Sequence, residues 1–530
     1  MFQKWKFGGG VLKLSRLTRP MAVYASINPD IQGGENVARL VISVILALSF
    51  CSLPVVAGEL QEDLRARRAR VMEQLGPHSM LILWSADLKS YSNDVEYEFR
   101  QDSDLYYLTA MEQDETILVL MPGNETRKEI LFIKEKDPER EHWEGQIMSE
   151  TDATTHTGIE TVYLVDRFDS FVRSLLSGRP FDVPRYRAST EYSAFFEALV
   201  DNRARVALAL TELPELEGEL SYPLQFAQRI RERYFGLDVQ NAADIIHKLR
   251  QIKTPYEAEL LRRSGVIASE GHLAGMRAAL SAQYEYEVEA AIESTYMRLG
   301  AYGSSYPAIV ASGPNATMLH YSTSRGKIEP EDLLLVDSAA NYQYQTVDIT
   351  RTYPVSGTFD PLQRDIYRIV LAAQDAGIEA AVTGSTLNDV HLATVQVVKQ
   401  GLLNLGLITD TSGDQYRTWY THGACHWIGM DVHDVGERDR PLEPGMAFVI
   451  EPGIYIREGA LDHLPDDPEN AAFIDKVRSA YEKYKDIGVR IEDSFLLTES
   501  GLEHLSGTVP RTINAIERHM SSGSTTSGSQ

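Results

Sequence analysis

The chain has 530 residues, 43% apolar and 24% charged, a make-up that fits a soluble chain of two or more domains and argues against a mostly disordered one. Its 51 Lys and Arg stand against 76 Asp and Glu, and the net charge of −25 disfavours a nucleic-acid-binding surface because phosphate would be repelled. The only cysteines, Cys51 and Cys425, cannot build a disulfide framework or a Cys-rich zinc site, so any metal must be held by His, Asp and Glu.

In chain order, the first feature is a charge-free apolar run from Val41 to Ala57, preceded by Arg39 and ending in the small-residue pattern Val55-x-Ala57. At about 17 residues, with Pro54 near its end, it is short for a membrane span and suits the apolar core of a signal peptide. Residues 1–57 are therefore expected to be an N-terminal extension with a signal peptide, and the protein to be exported, periplasmic or secreted. The alternatives are a membrane anchor, or a cytoplasmic chain should the extension be misassigned; Met21 offers a second start. Loss of the extension removes six basic and two acidic residues, leaves a charge of −29, and leaves Cys425 without a partner.

A basic helical stretch over 64–75 leads into β-rich runs at 80–84, 116–121, 130–133, 161–165 and 205–210, with helical segments between them. Strands alternating with helices predict an α/β first domain over residues 59–240. Helical spacing resumes from Ala242, with Pro255 opening a further helix, and the second domain is expected over 241–518. It alternates helices (285–299, 361–381, 387–405) with strand pairs. The Ser/Gly/Thr-rich end, 519–530, is expected to be a disordered tail.

Four segments of the second domain set metal-type ligands inside apolar, strand-forming sequence. Leu333-Leu-Leu-Val-Asp337 ends in a carboxylate, and Val347-Asp348-Ile-Thr-Arg-Thr352 carries another eleven residues on, so a hairpin would place the two on neighbouring strands. The stretch 421–434 holds His422, His426 and His433. Glu451, in Ala447-Phe-Val-Ile-Glu-Pro-Gly453, and Glu492, in Val489-Arg-Ile-Glu-Asp493, complete the set. A carboxylate ending an apolar strand is costly to bury unless a cation or hydrogen bonds compensate it. Four such carboxylates and a histidine offer mostly oxygen ligands, which suit Mn2+, Zn2+ or Co2+ in a two-metal site.

Asp337-x10-Asp348, His426, Glu451 and Glu492, with the flanks Asp348-Ile-Thr-Arg-Thr, His422-Gly-x-x-His426-Trp, Asp431-Val-His-Asp434 and Arg490-Ile-Glu-Asp493, resemble the five-ligand pattern of the "pita-bread" metallopeptidases. That family includes methionine aminopeptidase, prolidase and aminopeptidase P, and the flanks are most similar to the aminopeptidase P branch. The segment Asn93–Thr109 resembles that branch's N-terminal domain signature, and Leu249-Arg-x-Ile-Lys-Thr-Pro-Tyr-Glu257 its domain junction, so the likeness spans roughly residues 60–515. Ser338-Ala339 stands where Ala-Gly is usual, Val347 where Gly is common, and Cys425 where Ser is frequent; none removes a ligand. Cys425 reads as a small buried residue rather than a ligand.

The resemblance implies an α/β N-terminal domain followed by an α+β pita-bread (creatinase/aminopeptidase-like) catalytic domain. It implies that Asp348 and Glu492 bridge two divalent ions, foremost Mn2+, that Asp337 completes one, and that His426 and Glu451 complete the other. His320 and His433 match residues that contact substrate, His422 a neighbouring histidine, Arg490 a residue that orients the carboxylates, and Glu451 the acceptor of the water's proton. Arg490 is otherwise a surface charge. The implied activity is release of the first residue from peptides with proline second, by a homo-oligomer. Prolidase, confined to dipeptides, is the alternative, and an inactive peptide-binding protein is the more distant one.

Overall fold

Six short strands pair into a mixed sheet in the order Thr161–Leu164, Glu129–Ile133, Ile117–Leu120, Ser79–Trp84, Arg205–Leu208 and Asp238–Asn241. The computed structural model describes residues 57–187, 190–210, 219–234 and 236–524; the expected signal segment, with Cys51, lies outside them. Five of the six strands coincide with the β-rich runs. The sixth escapes a hydrophobicity reading because Val239 is its one buried residue. The two neighbours of Ile117–Leu120 run antiparallel to it, whereas the remaining pairs are parallel. Side chains alternate across the sheet. Met80 and Ile82 pack with Phe132, Phe168 and Phe171 on one face, and Leu81 and Leu83 with Leu105, Leu108 and Leu118 on the other. Burial of both faces is why these strands read as continuous apolar runs.

Ala242 and Ile246, just past residue 240, still bury in the first domain's core. The chain changes cores across the helix Ala243–Arg250 and the turn before Pro255. The next helix, Pro255–Ala279, starts on a reciprocal cap between Thr254 and Glu257, and the helices Pro361–Ala380 and Leu387–Leu405 start on equivalent caps, Asp360 with Gln363 and Thr386 with Asp389. Each cap satisfies otherwise orphaned N–H groups and contributes about 1 kcal/mol. These helices and Glu285–Arg298 flank two three-stranded antiparallel sheets, Ile309–Ser312 with Leu333–Asp337 and Thr350–Pro354, and Ala447–Ile450 with Asp493–Thr498 and Gly501–His504. A bridge between Thr350 and Glu492 joins the two sheets.

Two expectations need correction. Asp348 and Glu451 are not strand residues. The ladder begins at Thr350, paired with Asp337, while the Asp348 N–H donates instead to Ser494 Oγ (2.8 Å). Glu451 follows the last residue of Ala447–Ile450, and Pro452, lacking an N–H, cannot continue the pairing. The tail is also shorter than expected: a helix spans Ile513–Ser524, because Ile516 and Met520 bury in the second core. Residues 525–530 lie outside the described residues.

The two domains meet through charge. Arg250 Nη1 donates to Asp104 Oδ1 (2.8 Å) of the first domain, its Nη2 donates to Asp434 Oδ1 (2.6 Å), and Lys253 Nζ donates to Asp434 Oδ2 (2.8 Å) of the second. Burial works against the Asp104 and Asp434 charges. Hydrogen bonding from His247 with the Arg250 charge, and Lys253 with Arg250, outweigh it and hold the two carboxyls below the usual range. A depressed carboxyl binds fewer protons folded than unfolded, so its contribution is complete above the unfolded value of about 3.9 and is lost as pH falls through the folded one. Thermal melts between about pH 5 and pH 2 are therefore expected to lose less stability in Asp104→Asn than in the wild type.

Candidate metal centre

Asp337 closes a fully buried strand, and every residue of the opposing Thr350–Pro354 strand is buried too. The second carboxylate is set by its backbone: Ser494 Oγ accepts from the Asp348 N–H and donates to the Asp348 carbonyl (2.7 Å). Thr350, Arg351 and Thr352 then fasten this segment to Arg490–Asp493. Thr350 Oγ1 donates to Glu492 Oε2 (2.7 Å) and Thr352 Oγ1 to the Arg490 carbonyl (2.9 Å). Arg351, wholly buried, donates to the Glu492 carbonyl and to Asp493 Oδ1, both at 2.6 Å. These two motifs, far apart in sequence, are two halves of one clasp.

All five expected ligands line one cavity of about 410 Å3, together with His320, His422, His433 and Arg490. His426 Nε2 lies 3.5 Å from Asp348 Oδ2 and 3.7 Å from both Glu451 Oε1 and Glu492 Oε1. Ligand atoms of Asp348, His426 and Glu492 all lie within 4.8 Å of one another. Asp337 joins the group through Tyr306, whose hydroxyl donates to Asp337 Oδ1 (2.7 Å) and also contacts Asp348 Oδ1. Arg490 is a buried residue, not a surface charge: it donates to Asp337 Oδ2 (2.6 Å), Thr350 Oγ1 (2.9 Å) and the Tyr455 hydroxyl (2.9 Å). His433 and His320 sit exposed at the rim, with the His433 ring edge-on to His426 at 4.3 Å between centroids. A larger hollow of about 890 Å3 beside Trp84 contains none of the candidate ligands.

The electrostatics fit a cation. Burial, reinforced by Glu492 and Asp337, pushes the Asp348 carboxyl well above the usual range, and burial with Glu492 does the same to Glu451. Burial opposes charge on His426, yet its attraction to the Asp348, Glu492 and Glu451 carboxylates raises it well above its ordinary value. The cluster thus retains protons that a divalent ion would displace. Glu492 Oε1 is buried and finds no hydrogen-bond donor among the described residues, which is the state of a ligand oxygen turned towards an ion site. His422 differs: burial and the Arg490 charge hold it down to about 3, so it is neutral. Its Nδ1 donates to the Gly423 carbonyl and its Nε2 accepts from Tyr455, both at 2.8 Å. Cys425 is buried beside the cluster, and burial pushes its thiol well up.

Comparison with known proteins agrees with this geometry. The model of Metallopeptidase family M24 matches residues 259–499, and that of the Aminopeptidase P N-terminal domain matches residues 64–183. The Xaa-Pro aminopeptidase of Haemophilus influenzae is 33% identical over 471 residues, covering 87% of this chain and 97% of that protein. The chain belongs to the Xaa-Pro aminopeptidases of metallopeptidase family M24. Xaa-Pro aminopeptidase of Escherichia coli is 32% identical, with 87% and 98% covered. Among solved structures, Pseudomonas aeruginosa aminopeptidase PepP superposes with a TM-score of 0.72 at 32% identity, covering 88% of this chain and 99% of that one. Escherichia coli aminopeptidase P with the inhibitor Pro-Leu gives 0.73 at 29%, with the same coverage. The protein is thus a metal-dependent aminopeptidase with the pita-bread catalytic domain and the α/β domain expected from sequence.

Sequence reasoning missed Tyr306 and Tyr455. Tyr455 lies four residues beyond Glu451, a nearness that is its one signal, whereas nothing around Tyr306 marks it. Since Asp348 and Glu492 occupy the centre of the cluster, Asp348→Ala and Glu492→Ala are expected to lose metal and activity together. His433→Ala, which leaves the clustered ligand atoms intact, should keep full metal content by inductively coupled plasma mass spectrometry.

Proposed function

We propose that the enzyme removes the first residue from peptides whose second residue is proline, using two divalent ions, foremost Mn2+. The observation that carries the reading is the convergence of Asp337, Asp348, His426, Glu451 and Glu492 with His320 and His433 in one cavity. It stands on a chain similar over nearly the whole length of Xaa-Pro aminopeptidases. Asp337, Asp348, His426, Glu451 and Glu492 would hold the ions. Bound there, the ions supply Lewis acidity, lowering the pKa of the attacking water and polarising the scissile carbonyl.

The chain's own groups do the rest. Arg490 holds Asp337 and, through Thr350, Glu492, so that the carboxylates keep one geometry. Tyr455 accepts from Arg490 and donates to His422, which fixes that imidazole, while burial and the Arg490 charge keep it neutral. Glu451, on the His422 side of the cavity, takes the proton of the water as the new C–O bond forms, and returns it to the proline nitrogen as the C–N bond breaks. The rim imidazoles of His433 and His320 donate to the carbonyl oxygen as negative charge develops on it. An exopeptidase must recognise the substrate's free amine, which restricts cleavage to the chain end. Proline needs a dedicated site because its nitrogen has no N–H to offer and its ring stiffens the backbone.

Hydrolysis of matched free and acetylated peptides of two to eight residues, read by mass spectrometry, tests this. Release of the first residue from Xaa-Pro-Yaa peptides of three residues or more is expected. Replacing Pro by Ala should lower kcat/KM by about 10- to 200-fold, the worth of lost apolar contact with the ring. His433→Ala should lower kcat by about 100-fold. Cleavage confined to dipeptides identifies a prolidase, and cleavage of acetylated peptides sinks the exopeptidase reading. The apolar run ending at Ala57 supports export, and N-terminal sequencing of protein from the native host should then find Gly58 first.

A further inference from the structure

Three motifs that supply no ligand meet at one point. They are the first-domain segment 100–104, the junction residues Arg250 and Lys253, and the loop 427–434 that presents His433. The Arg250 guanidinium lies between Asp104, Asp431 and Asp434, at 2.8, 2.8 and 2.6 Å, and is 3% exposed. Asp431 is held a second time from the first domain, by Ser103 Oγ (3.1 Å), and Arg100 Nη2 donates to the neighbouring Met430 carbonyl (2.7 Å). Asp434 is held a second time by Lys253 (2.8 Å), and its N–H donates to the Trp427 carbonyl (2.9 Å). His433 therefore hangs on a backbone fixed on both sides. The packing leaves no slack: a Cβ on Gly429 would overlap both the Asp434 carboxylate and the Lys253 ammonium group.

A buried ion network is weak evidence for stability, since apolar packing holds domains together as well or better. What directional pairs do better is fix one geometry, and an error of about 1 Å in a group that meets the reacting atoms costs up to about 100-fold in rate. We propose that the first domain acts on the chemistry through Arg250: Asp104 fixes Arg250, Arg250 and Lys253 fix Asp431 and Asp434, and these place the His433 imidazole. Arg250 is then a positioning residue, and Asp104 couples the first domain to the active centre. The inference rests on the reading of His433 as a group that binds the substrate carbonyl.

The experiment uses the full metal-loaded enzyme and a double-mutant cycle. Asp431→Ala and Asp104→Ala are made alone and in a His433→Ala background, with kcat, KM and metal content measured on an Xaa-Pro-Yaa tripeptide. Hydrogen–deuterium exchange of the peptide spanning 427–434 is followed alongside. Each single variant is expected to lose about 10-fold in kcat, with KM within about twofold and full metal content, and to exchange faster over 427–434. In the His433→Ala background the same changes should cost less than about twofold, because they act through a side chain already gone. Asp104 is buried, so its loss can prevent folding; Asp431, 40% exposed, then carries the test. Equal losses in both backgrounds, or full kcat in a folded Asp431→Ala, would overturn the proposal. Full turnover in His433→Ala alone would overturn the reading of His433 itself, and this proposal with it.

Discussion

Mutual repulsion among Asp337, Asp348, Glu451 and Glu492 is the constraint on which the rest of the second domain depends. Their charges crowd into a pocket of about 410 Å3, and taking even one carboxylate out of water is costly without compensation. The fold answers with a guanidinium, a phenol and two hydroxyls. Arg490 faces Asp337, Tyr306 donates to Asp337 and contacts Asp348, Thr350 donates to Glu492, and Ser494 pins the Asp348 backbone. These groups hold the carboxylates in place. What they leave, including Glu492 Oε1 with no hydrogen-bond donor among the described residues, is an oxygen-rich pocket that suits divalent cations.

Here the four acids come from four separate segments of the chain, which the fold must bring to one point. The solution is two sheets joined by the bridge between Thr350 and Glu492 and clasped by Arg351 across both. Burial of Arg351 against Asp493 is therefore part of the site, although neither residue faces the cavity. Directional hydrogen bonds serve here where apolar packing would leave the strands free to slide.

The carboxylates were legible because an acid terminating an apolar strand is a local anomaly, visible without any knowledge of its partners. Helix starts near 255, 361 and 387 were legible from Pro255 and from helical spacing, and the structure adds the caps at Thr254, Asp360 and Thr386 that fix them. Tyr455 was not legible, because a tyrosine between two isoleucines reads as core whether or not its hydroxyl meets another chain segment, and nothing in Ser304-Ser-Tyr-Pro307 marks Tyr306. Strand membership failed at Asp348 and Glu451 for one cause in each: a serine hydroxyl replaces a ladder bond at the first, and Pro452 ends pairing at the second. The tail failed because Ser and Gly composition outweighed the spacing of Ile516 and Met520, which alone decides the last helix.

The two rim histidines extend the same logic to parts of the chain that carry no regular structure. His433 rides a loop fixed by Arg250 and Lys253. His320 follows the turn Gly313–Thr317, and a single buried carboxylate organises that stretch. Glu285 accepts from the Ser312 N–H and hydroxyl, from Asn315, from the Tyr321 hydroxyl and from the Gly326 N–H, at 2.6–2.9 Å. Gly488, beside Arg490, lets the Ala316 carbonyl approach where any Cβ would collide. Five donors commit to this one carboxylate and so tie the stretch from Ser312 to Gly326 together. Each histidine thus stands free at its tip and rigid at its root. That arrangement suits a group that must meet an oxygen whose charge changes during the reaction, because the donor is already oriented before the charge develops.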